Sequence, residues 1–340
     1  MIRDLLSECI KAKLKELRAA PPLPLLAPWS ASNTPVITRG VPGGMDSHQV
    51  VDPHIVEIDG DYFCYYGMFD GRNFRIGLAK SKNLVEWTKH GIALDASKTG
   101  IEKVGVVTPY VIEVGKEYWM YYHSYDGERD RGCLATSLDG ISWAKYSGNP
   151  VVDVLAGSFY SRRIDPEVVF YEPDEERPFK MIFGAYEDAE FRCGYAESQD
   201  GKIWSIDPLP VFIRGLAGEW DGVHAYPGHG VKVADIYYLF YQGFDGANWR
   251  LGLAYSKDLR TWTRYTGNPI IGLGSWNTVS AENPCLVKVG NNFVGLFCGA
   301  FTGSGIYPST YDIGLFYQTV PPSSKRRCST RTSSIRRPSC

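Results

Sequence analysis

The sequence predicts an all-β fold: a five-bladed β-propeller whose last blade is completed by a strand from the N-terminus, with a short N-terminal helix ahead of it. Three observations predict it. One short pattern returns five times, each return is followed by the same order of strands, and the final return lacks a strand that the N-terminal segment resembles. A fixed period indicates a repeat architecture, and four-stranded units of this length arranged around an axis form a propeller.

The repeated pattern is clearest in the last two units, where GEWDGVHAYPGHGVKV aligns without a gap over GSWNTVSAENPCLVKV and places Tyr226 on Glu282. The first three units align as VVDPHIVEI, VVTPYVIEV and RIDPEVVFY. One position in this alignment differs from unit to unit, at intervals of 56, 57, 61 and 56 residues: Asp52, Thr108, Asp165, Tyr226 and Glu282. We call these five residues the variable position.

Three further strands follow the variable position in each complete unit. An aromatic strand, such as YFCYYGMF or YYLFYQGF, leads into a turn that contains Asp-Gly in three units. Asp-Gly between two alternating runs is a strong hairpin signal. The third strand follows, as in RIGLAKS and RLGLAYS, and a tryptophan six residues after its serine marks the fourth: Trp87, Trp143, Trp204 and Trp262.

The fifth unit ends at IGLFYQTV without such a tryptophan, whereas Trp29 is followed by SASNTPVI, which is similar to the segments after Trp143 and Trp262. A strand over residues 29–37 is therefore expected to pair with the last blade, which would leave no unpaired edge. This predicts a helix and linker over residues 1–26, a propeller domain over 27–320 and a basic, disordered tail over 321–340.

Composition fits one globular body. The chain has 340 residues, a formal net charge of −2 and 44% hydrophobic residues, which gives no reason to expect nucleic acid binding, and no apolar run is long enough to span a bilayer. The first nineteen residues read as an amphipathic helix that lies against the propeller or a partner, and the lack of a secretory apolar region predicts a cytoplasmic protein. Eight scattered cysteines predict reduced, buried thiols and no metal site, and the oligomeric state is left open.

The variable position is where chemistry is expected. The first strand of each propeller blade lines the central channel, so the five residues should converge on one small volume. Carboxylates are costly to bury together, because desolvation and like charge raise their pKa values. Variation at one position of an otherwise regular repeat is typical of a site built on a scaffold. The alternative is structural, since Asp-Pro is also common turn chemistry.

From Trp29 to Val320 the chain resembles the five-bladed propeller glycoside hydrolases, which include families 43, 32 and 68. The resemblance rests on VVDPHIVEIDGDYFCYYG, on Arg163-Ile164-Asp165-Pro166, and on the outer-strand phrases SKNLVEWTKHG and SKDLRTWTRYTGNPII. It implies that Asp52 is the general base or the nucleophile, and that Asp165 holds substrate hydroxyls and tunes the acid. Cleavage at an anomeric carbon requires such a pair of carboxyl groups, one ionised and one protonated.

The general acid departs from the pattern, because that family carries a glutamate at the start of the fourth blade, where this chain has Tyr226. We predict Glu282 as the proton donor. The alternatives are His224 and His229, which flank Tyr226, and Glu219 on the entering loop. The residues expected to contact substrate from their positions are Tyr226, His54, Arg163, His229, Trp249 and Thr108.

The predicted function is hydrolysis of a terminal glycosidic linkage, with a carbohydrate as the partner and no cofactor. By resemblance, a structural calcium ion in the channel is conceivable. Phosphorolysis or transfer is the first alternative, and it would suit an anion clamp built from the recurrent third-strand arginines Arg75, Arg131, Arg192 and Arg250. A glycan-binding propeller without catalysis is the second, since Tyr226 replaces the expected acid. A protein-binding scaffold is the third.

Overall fold

The fold is all-β, as predicted. The computed structural model describes residues 7–8, 10–14, 25–302 and 310–319, and in this part of the chain it contains twenty strands. The described helical structure is confined to residues 7–8 and 10–14 and to a short 3-10 helix, Gly100–Glu102. No helix within the described ranges is both long and apolar enough to cross a membrane.

The strands form five antiparallel groups. The first contains β2, β3, β4 and β5 (Gln49–Ile58, Asp61–Phe69, Phe74–Ser81 and Thr88–Leu94), after β1 (Trp29–Ile37). The second contains β6, β7, β8 and β9 (Gly105–Val114, Glu117–Tyr125, Asp130–Ser137 and Ala144–Lys145). The third contains β10, β11, β12 and β13 (Arg163–Tyr171, Phe179–Glu187, Glu190–Ser198 and Ser205–Ile206). The fourth contains β14, β15, β16 and β17 (His224–Val233, Ile236–Phe244, Trp249–Ser256 and Thr263–Arg264). The fifth contains β18, β19 and β20 (Ser280–Val289, Asn292–Thr302 and Thr310–Gln318).

Single parallel bridges join three pairs of successive groups. Phe74 of β4 pairs with Gly105 of β6, Asp130 of β8 with Arg163 of β10, and Trp249 of β16 with Ser280 of β18. Gln49 of β2 pairs with Tyr311 of β20, which brings the last group beside the first. The innermost strands of different groups therefore start close together.

Strand β1 is the outer strand of the fifth group. It pairs antiparallel with β20, with Trp29 opposite Gln318 and Ile37 opposite Ile313. The Trp29 ring is buried and lies 5.4 Å from the ring of Phe240 and 5.3 Å from that of Phe316, between centroids. Its Nε1 donates a hydrogen bond to the Leu25 carbonyl at 3.1 Å. The expected strand over residues 29–37 is thus present, and it pairs where the repeat predicts.

The described part of the N-terminal helix packs on the β structure. Ile10 and Leu14 are buried in an apolar cluster that includes Leu84 and Ile37. Lys11 Nζ lies 2.6 Å from a carboxylate oxygen of Glu86. The rest of the predicted helix and linker up to residue 24, and the whole predicted tail over 321–340, lie outside the described residues.

Replacing Trp29 by Ala should destabilise the protein by about 3 kcal/mol, because it removes a buried ring that packs against Phe240 and Phe316. Chemical denaturation of the variant and the native protein measures this difference. Val41→Ala is the control, since Val41 is 77% exposed and should change stability by less than about 0.5 kcal/mol. A Trp29 variant as stable as the control would show that β1 is dispensable to the fold.

Candidate active site

A cavity of about 420 Å³ opens where the innermost strands converge. Many of its lining residues are charged or polar. The ionisable ones are Asp52, His123, Tyr125, Asp130, Arg163, Asp165, Glu167, Tyr226, Glu282 and Tyr311. The others are Gln49, Val51, Phe74, Val107, Thr108, Phe191, Gln242, Trp249 and Asn283. Seven of the predicted site residues are therefore brought together: Asp52, Thr108, Arg163, Asp165, Tyr226, Trp249 and Glu282.

Strand register corrects the predicted alignment of the variable position by one residue in two units. Asp165, Tyr226 and Glu282 pair with Gly184, Gln242 and Cys298 of the neighbouring second strands. The residues at the same register in the first two units are Val51, opposite Gly67, and Val107, opposite His123. Asp52 and Thr108 come one residue later, where the fifth unit has Asn283. A proline follows each of Asp52, Thr108, Asp165 and Tyr226. Aligning these prolines shifted the first two units by one residue.

The backbone explains how both positions reach the cavity. Every first strand has a register irregularity in this stretch. In three units the extra residue adopts a left-handed conformation, with φ of 49° at Asp52, 53° at Thr108 and 47° at Asn283. Successive side chains of a regular strand point to opposite faces, but a bulge re-aims them. Two consecutive residues, such as Glu282 and Asn283, can therefore both line the cavity.

Asp52 is held by two side-chain donors. The Thr108 hydroxyl donates to Asp52 Oδ2 at 3.0 Å, and the Asn283 amide donates to Oδ1. Its backbone N–H points to Cys298 Sγ at 3.0 Å. Burial raises the pKa of Asp52, while the two side-chain hydrogen bonds favour its ionised form and oppose that rise. Asp52 remains partly exposed to the cavity, as a base or nucleophile must be.

Asp165 is the most deeply buried carboxylate of the site, at 1% exposure. The Tyr226 hydroxyl donates to Asp165 Oδ2, and Arg163 Nε lies 3.5 Å from the same oxygen. The Tyr226 ring lies directly over Gly184, where any Cβ would overlap it. Burial raises the pKa of Asp165. Tyr226 is thus a hydrogen-bond donor to Asp165, and burial raises its own pKa well above the ordinary value.

Glu282 is placed to carry a proton. It is 7% exposed, and Tyr311 donates a hydrogen bond to its Oε1 at 2.9 Å. Burial raises the pKa of Glu282 to about 8, with a further increase from the negative charge of Asp52. A carboxyl with that pKa is mostly protonated at neutral pH, which is what a general acid requires.

Glu167 is a site residue that the sequence analysis missed. It is 6% exposed, lines the same cavity, and lies two residues beyond Asp165 on β10. Burial, with added repulsion from Asp165 and Asp52, raises its pKa well above the ordinary value. In the sequence alignment Glu167 falls beside His54 and Tyr110, which gave no signal. At the register of the paired strands its counterparts are Pro53, Pro109, Gly228 and Pro284, so it is the one acidic residue at this place.

Asp130 and His123 were missed as well. Each occupies a place in the repeat where its counterparts differ. The residue before the third-strand arginine lines the cavity in the first four units, and there Asp130 takes the place of an aromatic side chain: Phe74, Phe191 and Trp249. His123 likewise replaces the Gly67 and Gly184 of two other units. Arg163 Nε donates to Asp130 Oδ2 at 2.7 Å.

Two predicted contact residues lie below the cavity rather than in its wall. His54 is buried and its Nε2 lies 3.0 Å from the Val111 carbonyl, with its ring 4.3 Å from Tyr110 and 5.5 Å from His229. Burial lowers the pKa of His54 to about 4 and that of His229 well below the ordinary value, so both imidazoles are neutral at neutral pH. His54, Tyr110 and His229 form an aromatic floor under the site.

The alternative acids lie outside the cavity lining, with His229 in the aromatic floor. The His224 ring lies against both Phe244 and Trp249, and burial lowers its pKa, which disfavours the imidazolium that would donate a proton. Glu219 is exposed, and its carboxylate accepts the backbone N–H of Leu216 at 2.8 Å. The geometry therefore favours Glu282 over these alternatives.

The recurrent arginines do not form an anion clamp. None of the four lines the cavity, and each pairs with a nearby carboxylate. Arg75 Nη1 lies 2.8 Å from Asp70 and Arg250 Nη1 lies 2.7 Å from Asp245, while Arg131 pairs with Asp126. Arg192 Nη2 lies 2.7 Å from Glu190. These arginines therefore recur because they pair with carboxylates at the hairpins between the second and third strands. Among the described residues, no group of three or more His, Cys, Asp or Glu side chains is arranged to hold a metal ion.

The buried proton on Glu282 gives a stability test. In the unfolded chain this carboxyl ionises near its ordinary value of 4.5, whereas in the native protein its pKa is about 8. The unfolded state therefore binds fewer protons between these values, and the group makes stability fall as pH rises from about 4.5 to 8. Gln cannot ionise, so Glu282→Gln should gain a few degrees in melting temperature relative to the native protein between pH 5 and pH 8.5.

Thermal melts at several pH values measure this difference, and Glu219→Gln serves as the exposed control. If the gap between Glu282→Gln and the native protein were the same at every pH, Glu282 would not be protonated in the native state at neutral pH.

Comparison with known proteins identifies relatives. The model of the glycosyl hydrolases family 32 N-terminal domain matches residues 45–221. A 1,2-beta-oligomannan phosphorylase from Thermoanaerobacter sp. (strain X514) is 49% identical over 207 residues, which are 57% of this chain and 64% of that protein. The chain thus spans less than two thirds of the length of this curated relative.

Solved structures share the fold at low sequence identity. A thermostable family-43 glycoside hydrolase superposes with a TM-score of 0.63 at 18% identity, covering 82% of this chain and 91% of that one. A structure from work on the GH130 family of mannoside phosphorylases and its β-1,2-mannoside hydrolases gives 0.65 at 15% identity, covering 86% and 95%. A glycosyl hydrolase from Bacteroides ovatus gives 0.66 at 15% identity, covering 86% and 95%.

The family match spans Asp52, Asp130 and Asp165. Since the family model covers more than half of the sequence, the chain belongs to the family of the glycosyl hydrolases family 32 N-terminal domain, with a glycoside hydrolase fold.

Proposed function

We propose that this chain is an enzyme that cleaves a terminal glycosidic linkage in the central cavity, with hydrolysis as the reaction. The observation that carries the proposal is the pairing of Glu282, whose pKa is raised to about 8 by burial, with Asp52, whose charge is supported by two hydrogen bonds in the same cavity. One protonated and one ionised carboxyl group are what glycoside cleavage requires.

The proposal includes the architecture. The five strand groups are the blades of a propeller, and β1 closes the ring by pairing with β20. In such a ring the first strands line the channel, so residues from all five blades meet around the substrate. Asp52 of the first blade and Glu282 of the last lie at the seam where the ring closes.

The roles follow from the contacts. Glu282 gives its proton to the glycosidic oxygen as the bond from that oxygen to the anomeric carbon breaks. In an inverting reaction Asp52 takes a proton from the attacking water. In a retaining reaction Asp52 attacks the anomeric carbon itself, and water then releases the sugar from it. Asp165, oriented by Tyr226, binds sugar hydroxyls. The predicted roles of all three carboxyls are retained in this mechanism.

The floor of the cavity supports cleavage at a chain end. His54, Tyr110 and His229 are all buried and pack around the channel below Asp52. A sugar chain entering from the mouth cannot thread through this floor. The cavity holds one or two sugar residues at about 420 Å³, so it suits a terminal residue and its neighbour.

The identity of the sugar is taken from the relatives. The curated relative is named for 1,2-β-oligomannan, and one structural neighbour comes from work on β-1,2-mannosidic linkages. A short β-1,2-mannooligosaccharide is therefore the first substrate to test. The aryl arabinofuranosides, xylosides and galactosides and sucrose remain the wider panel.

Charge in the cavity favours water over phosphate as the acceptor. Arg163 is the one Arg or Lys side chain that lines the cavity among the described residues, and Asp130 already holds it. Five carboxyl groups line the same space. A phosphate dianion would meet the ionised carboxyls among them, and the two basic side chains of the lining, Arg163 and His123, both already face Asp130. The second candidate is nevertheless phosphorolysis, because a relative 49% identical over 207 residues is a phosphorylase.

Phosphate dependence separates the two reactions. Under the leading proposal, release of mannose from a β-1,2-mannooligosaccharide proceeds equally with and without inorganic phosphate, and no mannose 1-phosphate forms. Chromatography of the products measures both. Formation of mannose 1-phosphate at a rate that rises with phosphate concentration would establish the second candidate instead.

The two carboxyl roles can be told apart by the leaving group. Asp52→Asn should lower kcat/KM by about 10³-fold or more on every substrate, because the base or nucleophile is lost. Glu282→Gln should lower it as much on an oligosaccharide, but far less on a 4-nitrophenyl glycoside, whose leaving group needs little protonation. Steady-state kinetics on both substrates gives the comparison.

Glu219→Gln is the matched control and should behave as the native protein. If the native protein released no sugar from the whole panel yet bound mannooligosaccharides, the chain would be a glycan-binding propeller and the proposed enzyme function would be wrong.

A further inference from the structure

His123 occupies an unusual place in the repeat. It lies on the second strand β7, at the register where two other units have glycine, and its side chain is buried between β6, β8 and β10. Its counterparts Gln242 and Cys298 each bind a backbone N–H of the following unit, at Asn283 and Asp52. His123 reaches the following unit too, with Nδ1 3.5 Å from Asp165 Oδ1.

The hydrogen bonds around Nδ1 assign its proton. Thr108 Oγ1 lies 3.1 Å from His123 Nδ1 and 3.0 Å from Asp52 Oδ2. The Thr108 hydroxyl donates to Asp52 Oδ2, and a hydroxyl has one proton to donate. Thr108 Oγ1 must then accept from His123, which places a proton on Nδ1. Asp165 Oδ1, which is buried and has no other hydrogen-bond partner, lies beside the same N–H.

The other ring nitrogen also faces an acceptor. His123 Nε2 lies 3.4 Å from Asp130 Oδ1, and the second oxygen of Asp130 accepts from Arg163 Nε at 2.7 Å. A neutral imidazole has one donor and one acceptor nitrogen, whereas an imidazolium donates from both. Only the imidazolium satisfies acceptors on both sides.

The charges that face His123 are those of the surrounding strands. Asp130 comes from β8, Asp165 and Arg163 come from β10, and Asp52 comes from β2 behind the Thr108 hydroxyl. Burial raises the pKa of Glu167, also on β10, and so favours its protonated form. Three carboxylates therefore surround the ring, against the one guanidinium of Arg163.

We propose that His123 is a cationic positioning residue, an imidazolium that bridges Asp130 to Thr108 and Asp165 and keeps Asp52 and Asp165 ionised beside two protonated glutamates. The expected effect on turnover rests on the proposed function, whereas the charge of His123 does not. Burial raises the pKa values of both aspartates, and a positive charge at His123 opposes that rise. Glu282 has no such contact with His123.

Nuclear magnetic resonance of the full chain tests the charge without any need for activity. The six histidines can be labelled with ¹⁵N, and Nδ1 and Nε2 shifts distinguish an imidazolium from either neutral tautomer. His123 should show two protonated nitrogens at pH 7.5. His123→Gln assigns the signal, and Asp130→Asn should make the ring neutral at this pH. A native His123 signal that is neutral at pH 7.5 would overturn the proposal.

The pH profile of turnover tests the consequence. His123→Gln removes the cation, so the pKa values of Asp52 and Asp165 should rise, and the acid limb of kcat/KM should move to higher pH by about one unit. The basic limb, set by Glu282, should stay in place. Thr108→Val, which breaks the link to Asp52 without removing the charge, should shift the acid limb less.

An unchanged acid limb in an active His123→Gln variant would overturn the positioning role. If His123→Gln does not fold, the same shift is expected of Asp130→Asn, and its absence there would count equally against the proposal. If the native protein has no activity on any substrate, the proposed function fails while the resonance experiment still decides the charge of His123.

Discussion

The irregularity of the innermost strands is the constraint on which the rest of the site depends. A regular strand sends consecutive side chains to opposite faces, so it can offer the channel only every second residue. The bulges let Val51 with Asp52, Val107 with Thr108, and Glu282 with Asn283 face the same cavity. The cost is a left-handed backbone at three residues other than glycine, which costs about 1 kcal/mol or more each. Without these bulges, fewer polar side chains could face the same cavity.

Crowding then requires that the carboxyls differ in charge. Five of them line a cavity of about 420 Å³, and burial alone would drive all of them toward the protonated form. Local donors decide which ones stay ionised. Asp52 receives two hydrogen bonds, whereas Glu282 receives one from a tyrosine and Glu167 lies among other acids. The same repeat therefore yields some carboxyl groups that favour the ionised form and others that favour the protonated form, because each unit supplies different neighbouring side chains.

Much of this could be predicted from the sequence, because the repeat compares the units with one another. The strand order, the placement of β1 and five residues of the cavity follow from aligned positions, whereas Arg163 and Trp249 were expected from the family resemblance and from a hairpin position. The bulges could not be predicted, since a proline after the variable residue occurs with and without the left-handed conformation. Asp130, His123 and Glu167 come from places in the repeat where most units carry apolar side chains or none. Only the register of the paired strands shows that these places also face the cavity.

The pairing of β1 with β20 has a consequence for how the protein is made. Asp52 obtains its amide donor from Asn283 and a backbone contact from Cys298, both in the last group. The strand that covers that group was synthesised first and must wait for Thr310–Gln318 before it finds its partner. During translation the acidic cavity is therefore incomplete until Thr310–Gln318 have left the ribosome. A chain interrupted before β20 would carry β1 unpaired and would have no assembled site.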